Sequence, residues 1–245
     1  MTKEHPLRSE SSSVPSQGAV SQEDKPQTER SDSSSNNRFA KLWQLFQQRR
    51  FLNILTIGIV VIVVGWVAFR EYRAAKNQEC IEQMRFAETY FRQDSFEKAI
   101  KGTLGAPGFE QLVEEYGWTE AGNLCRLYLG LCYLKLNNPQ AAAEVLSKYD
   151  PPDSYLGGAA YGALAGAYAE LKDFTKAAYY YEKAAKIHRN SQTSPTYLLQ
   201  AALSYELAKD NAKAAQIYEQ ILSEYPLANE ANTAQKHLER VRLLK

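Results

Sequence analysis

YGALAGAYAELKDFTKAAYYYEKAAKI, residues 161–187, is the stretch on which the fold turns. Ala165 is followed three residues later by Tyr168, and nine residues after that by Ala177. Tyr161, Leu164, Ala165 and Tyr168 fall on one face of a first helix. LKD at 171–173 ends it, and Phe174, Ala177, Tyr181 and Ala184 share a face of a second. Small residues let two antiparallel helices approach closely, and the tyrosine fills the space beside them. The same frame recurs at Ala87, Tyr90 and Ala99, at Gly130, Tyr133 and Ala142, and at Ala202, Tyr205 and Ala214. Each copy is divided by a turn: RQDS at 92–95, LNNP at 136–139 and AKDN at 208–211.

A small residue, a tyrosine three on, an alanine, and then an aromatic and a small residue four and seven further resembles the tetratricopeptide repeat. Tyr218, Ile221 and Pro226 extend the match in the last copy, where Asn211 stands in place of the usual aromatic. The resemblance implies an all-α chain. Its expected fold is an α-solenoid of about four helix pairs over 77–226, with repeats near 80–101, 122–149, 158–187 and 195–226. Ala231, Ala234, Leu238 and Val241 lie on one face of the following segment, and 227–245 reads as the capping helix. The interval from Tyr90 to Tyr133 is the longest, and the extra residues sit at TLGAPG. Gly102, Gly105, Pro107 and Gly108 forbid a continuous helix there, which predicts a loop and then a short helix from Phe109 to Tyr116.

Toward the N-terminus lies FLNILTIGIVVIVVGWVAF, Phe51 to Phe69, without a single charge. As a helix it reaches about 28 Å, close to the hydrocarbon thickness of a bilayer. Arg49 and Arg50 precede it, and Arg70 and Arg73 follow. This predicts one transmembrane helix over 51–69. Residues 1–37 are polar, Ser-rich and broken by Pro6, Pro15 and Pro26, so they cannot bury enough apolar surface to order and are expected to be a disordered tail. RFAKLWQLFQQRR at 38–50 has Phe39, Leu42, Trp43 and Phe46 at helical spacing. It fits an amphipathic interfacial helix, or equally a continuation of the span. Residues 70–76 are expected to connect the span helically to the repeats. Basic residues near the span are Arg38, Lys41, Arg49 and Arg50 before it, against Arg70, Arg73 and Lys76 after it. That slight excess favours a cytoplasmic N-terminus.

The chain of 245 residues carries a net charge of +1 with no basic stripe, which argues against nucleic acid as a partner. Cys80, Cys125 and Cys132 are too few for a disulfide framework, and the last two lie about 10 Å apart along one helix. His5, His188 and His237 fall in unrelated segments. No nucleophile–base pair, phosphate loop or metal-ligand spacing is present, so no catalytic, cofactor or metal residues are expected and the chain does not read as an enzyme. Glu114 and Glu115 read as solvated charge.

First helices of such repeats line a concave face where polypeptides bind. Projecting the frame onto helical offsets places Met84, Phe91, Leu127, Leu131, Leu134, Gly162, Gly166, Leu199, Leu203 and Leu207 on that face. Leucines would flank a floor of glycines, either open to an apolar segment or filled by the chain itself or a second copy. A polar N-terminus, one span and a repeat domain together resemble the bacterial ancillary Sec-translocon subunits. That resemblance implies an inner-membrane protein with periplasmic repeats, whose partners are the translocon, chaperones or unfolded precursors. A structural or regulatory scaffold of another membrane complex, facing the cytoplasm, is the alternative.

Overall fold

The computed structural model describes residues 33–151, 154–187 and 189–243, in two compact units that divide between Val63 and Val64. The first helix, α1, runs Ser33–Arg92. No proline interrupts it. Residues 33–37 are thus helical rather than part of a polar tail, and 38–50 belong to α1 rather than to a separate interfacial helix. Expected disorder over 1–32 lies outside the described residues. From Leu52 to Phe69 every residue except Gly58 is exposed. Burying one such Leu, Ile or Val is worth about 1.5–3 kcal/mol, and none of the described residues supplies that burial for the run. The helix is long and apolar enough to cross a bilayer. The one hydroxyl of the apolar run, on Thr56, donates to the Asn53 carbonyl at 2.8 Å and so stays within the helix.

The second unit is a stack of antiparallel helices: α2 (Phe96–Lys101), α3 (Phe109–Tyr116), α4 (Glu120–Lys135), α5 (Pro139–Leu146), α6 (Ser154–Glu170), α7 (Phe174–Ile187), α8 (Ser194–Leu207), α9 (Asn211–Glu224) and α10 (Asn229–Leu243). From α3 onward each packs on the next in chain order. The hairpins share one turn geometry. Four residues after each frame tyrosine, Asp94, Asn137, Lys172 and Lys209 take left-handed backbone, with φ of 54°, 56°, 62° and 65°. The next residue's N–H then reaches back to the carbonyl of Tyr90, Tyr133, Tyr168 or Tyr205 at 2.8–2.9 Å. This satisfies carbonyls that the helix end would leave orphaned. In the last three turns the side chain of that next residue also caps the following helix: Asn138 accepts from Ala141 N–H, Asp173 from Lys176 and Asp210 from Lys213.

Three overlapping cores follow from this stacking. The first gathers Cys80, Met84 and Ala87 of α1 with Ala99 and Ile100, Phe109, Leu112 and Tyr116, and Cys125, Leu129 and Cys132 of α4. The second joins Leu127, Ala142, Ala143 and Leu146 to Ala160, Leu164 and Ala167 of α6. The third runs through α7, α8, α9 and α10 and includes Ala234, Leu238 and Val241 of the expected cap. The glycine-rich insertion forms a short antiparallel hairpin, β1 (Gly102–Thr103) with β2 (Ala106–Pro107). A Cβ on Gly102, which has φ +78°, would stand 2.4 Å from the Ala106 carbonyl oxygen. Only glycine fits there. The expected helix Phe109–Tyr116 is α3.

Candidate partner-binding face

The first helices do not present all the projected residues to solvent. Met84 is 4% exposed and Leu127 5%. Both are core residues, a correction to their projected place on the face. The inserted α3 brings Phe109 and Leu112 into the cluster that holds Met84, and the small residues of α6 let it close over Leu127. Gly162 is covered as well. A Cβ there would meet the Tyr197 ring of α8 at 2.6 Å, and one on Gly166 would reach the Tyr181 hydroxyl at 3.7 Å. Part of the glycine floor is thus occupied by tyrosines of the neighbouring helices.

What stays accessible is a row of half-buried apolar side chains. Leu131 and Leu134 pack against the second core, Leu199 packs against the third, and Leu203 is half-buried beside it. Leu207 is 59% exposed. Phe91 is held edge-on by Phe96 at 5.7 Å and Tyr128 at 5.3 Å, and Tyr128 in turn stacks on Phe109 at 5.2 Å. Such edge and offset contacts fix ring positions. Phe91 is therefore fixed by packing within the chain.

Tyrosine hydroxyls pin the helix pairs to one another. Tyr116 donates to Glu79 at 2.9 Å and accepts from Gln83, Tyr133 donates to Glu110, and Tyr205 donates to Glu182 at 2.8 Å. Burial first, and then the Glu110 carboxylate, push the Tyr133 hydroxyl up to about 12. At the end of the stack Glu206 of α8 accepts from Tyr218 of α9 and from Arg240 of α10, and its Oε1 lies 3.0 Å from His237 Nδ1. Among the described residues no His, Cys, Asp and Glu cluster could hold a metal ion.

The tetratricopeptide repeat family model matches residues 125–149 and 196–228, which are α4 with α5 and α8 with α9. Those two segments are tetratricopeptide repeats. Two solved structures agree at the level of the fold. A kinesin light chain of Podosopora anserina with nearly identical TPR-like repeats is 18% identical, with a TM-score of 0.50, over 67% of this chain and 85% of that one. A second structure of the same kind of repeats gives 17% identity and the same TM-score over 67% and 86%. The C-terminal part of a TPR repeat-containing protein from Cytophaga hutchinsonii aligns at 12% identity and TM-score 0.35 over 64% and 78%. No curated protein sequence matches. Tetratricopeptide repeats make this domain a scaffold for protein–protein interaction. Its ring contacts were not visible in the frame. The frame specifies how two helices of one pair meet, whereas Tyr197 over Gly162 and Tyr128 against Phe91 depend on how successive pairs stack.

Proposed function

We propose that this protein is a membrane-anchored docking platform without chemistry of its own. In this reading α1 spans the inner membrane with the N-terminus cytoplasmic, and the tetratricopeptide repeats handle secreted precursors in the periplasm beside the translocon and chaperones. The observation that carries the reading is the continuity of α1, from an exposed uncharged run into the first repeat core through Cys80, Met84 and Ala87. The slight excess of basic residues before the span supports the orientation. Phe91, Leu131, Leu134, Gly166, Leu199, Leu203 and Leu207 are the proposed partner face, apolar enough to hold an extended or helical segment.

Topology tests this directly. A reporter active only outside the cytoplasm is fused to Lys245, with a cytoplasm-only reporter as its mirror. Signal from the first alone is expected, and photo-crosslinkers at Leu131 and Leu203 should then capture translocon components or nascent precursors. Signal from the mirror alone sinks the periplasmic reading. It would leave a cytoplasm-facing scaffold of another membrane complex.

A further inference from the structure

The corner between α3 and α4 carries an aromatic and basic patch that neither the repeat packing nor the partner face uses. We propose that this corner is a second membrane contact, seated on the anionic phospholipid headgroups at the end of the span; it rests on the reading of α1 as a transmembrane helix.

The end of the apolar run, Val64 to Phe69, lies in the same compact unit as the repeats. Trp118, in the turn between α3 and α4, stacks on Tyr72 with centroids 5.8 Å apart and planes at 11°, and its ring lies 6.2 Å from that of Phe69. With the run filling the hydrocarbon, Phe69 stands at its edge. Tyr72 is about 4.5 Å further along the helix, at headgroup level. Trp118 is therefore held at the layer that tryptophan and tyrosine favour. Its indole N–H donates to the Glu115 carbonyl at 3.2 Å, so the polar edge is satisfied while the side chain remains 42% exposed.

Beside the ring lies a cavity of about 350 Å³ lined by Arg73, Trp118, Arg126 and Lys148 and also by the carboxylates of Glu120 and Asp150. Arg126 is committed to the Gly117 carbonyl and Asn123 Oδ1. Arg73 is exposed, and Lys148 is about two-thirds exposed in a weak pair with Glu144 at 3.1 Å. Cations that extend from beside an interfacial aromatic pair suit lipid phosphate, because they can stay hydrated while they reach the headgroups. Three cations against two carboxylates around this cavity favour an anionic occupant over an apolar segment.

The full chain is reconstituted into vesicles of phosphatidylethanolamine and phosphatidylglycerol. Trp43→Phe with Trp66→Phe leaves Trp118 as the sole tryptophan, and Trp43→Phe with Trp118→Phe leaves Trp66. Lipids brominated near the headgroup should quench Trp118 about twofold more than lipids brominated at the chain ends, and Trp66 should be quenched as well. Quenching of Trp66 without Trp118 overturns the second contact and leaves the span standing. Quenching of neither brings down the span and the contact together. Arg73→Glu with Lys148→Glu should remove about half of the Trp118 quenching. Unchanged quenching in that variant overturns the assignment to anionic headgroups.

Discussion

Lys172 and Lys209 show how the repeat frame outranks local preference. Both hold a left-handed backbone, which costs a residue with a Cβ about 1 kcal/mol and which glycine adopts freely. Their turns need that conformation to close the bonds to Tyr168 and Tyr205. Lys209→Gly is expected to stabilise the protein by about 0.5 kcal/mol, the relief being partly offset by greater freedom in the unfolded chain. A higher urea midpoint with an unchanged slope is the sign to look for. Glu206 offers a sharper test. Its side chain is 13% exposed. Burial alone would raise its carboxyl, but the hydrogen bonds from Tyr218, His237 and Arg240 outweigh that and hold it below the ordinary 4.5. A carboxyl depressed by folding contributes fully above its unfolded value, and the contribution is lost as pH falls through the folded one. The native protein should therefore lose stability on acidification below about pH 4.5. Glu206→Gln should cost about 1–3 kcal/mol at neutral pH and flatten that acid decline. Parallel decline of the two proteins in urea titrations across this range would refute the role given to the cluster.

At the scale of elements, the helix pairs, the short helix Phe109–Tyr116 and the cap with Ala231, Ala234, Leu238 and Val241 were legible in the sequence. Each is specified within its own segment, by apolar period and by turn residues. What was not legible depends on the next element along. Met84 and Leu127 share a helical face with accessible neighbours, and α3 and α6 decide that they are covered. The hairpin at Gly102–Pro107 needs the φ of Gly102 and Gly105, which spacing does not encode. Cys80 of α1 and Cys125 of α4 are another such case: the two buried thiols meet in one core. The Cys80 thiol first, and then burial, raise the Cys125 thiol, while burial pushes Cys132 up to about 12. Cys125 and Cys132, so raised, hold almost no thiolate at neutral pH; Cys80 is instead lowered by the neighbouring Cys125, and what protects it is complete burial. None of the three should react with a maleimide in the native protein, and all three should after unfolding. Rapid labelling of any cysteine in the native protein would show that the first core opens more readily than its packing implies.

For the whole molecule, the energetics of the repeat domain should follow its connectivity. The cores are local: α4 links the first to the second, and α7 gives Tyr180 to the second and Ala178 and Ala185 to the third. In such a stack, stability is a sum of repeat and nearest-neighbour terms, so a lesion should be felt nearby and fade with distance. Helix α10 is the place to make one, because it packs on α8 and α9. Leu238 is 3% exposed, and Leu238→Ala removes buried methyl groups from a site walled by three helices. The cost should be about 2–4 kcal/mol. Native-state hydrogen exchange reads where that cost falls. Protection should drop in α8, α9 and α10 and fall less in α7. It should remain near the unmodified value in α3, α4 and α5. An equal drop in every helix would mean that the domain opens only as a whole, and the nearest-neighbour account of how these repeats hold their partner face in shape would fail.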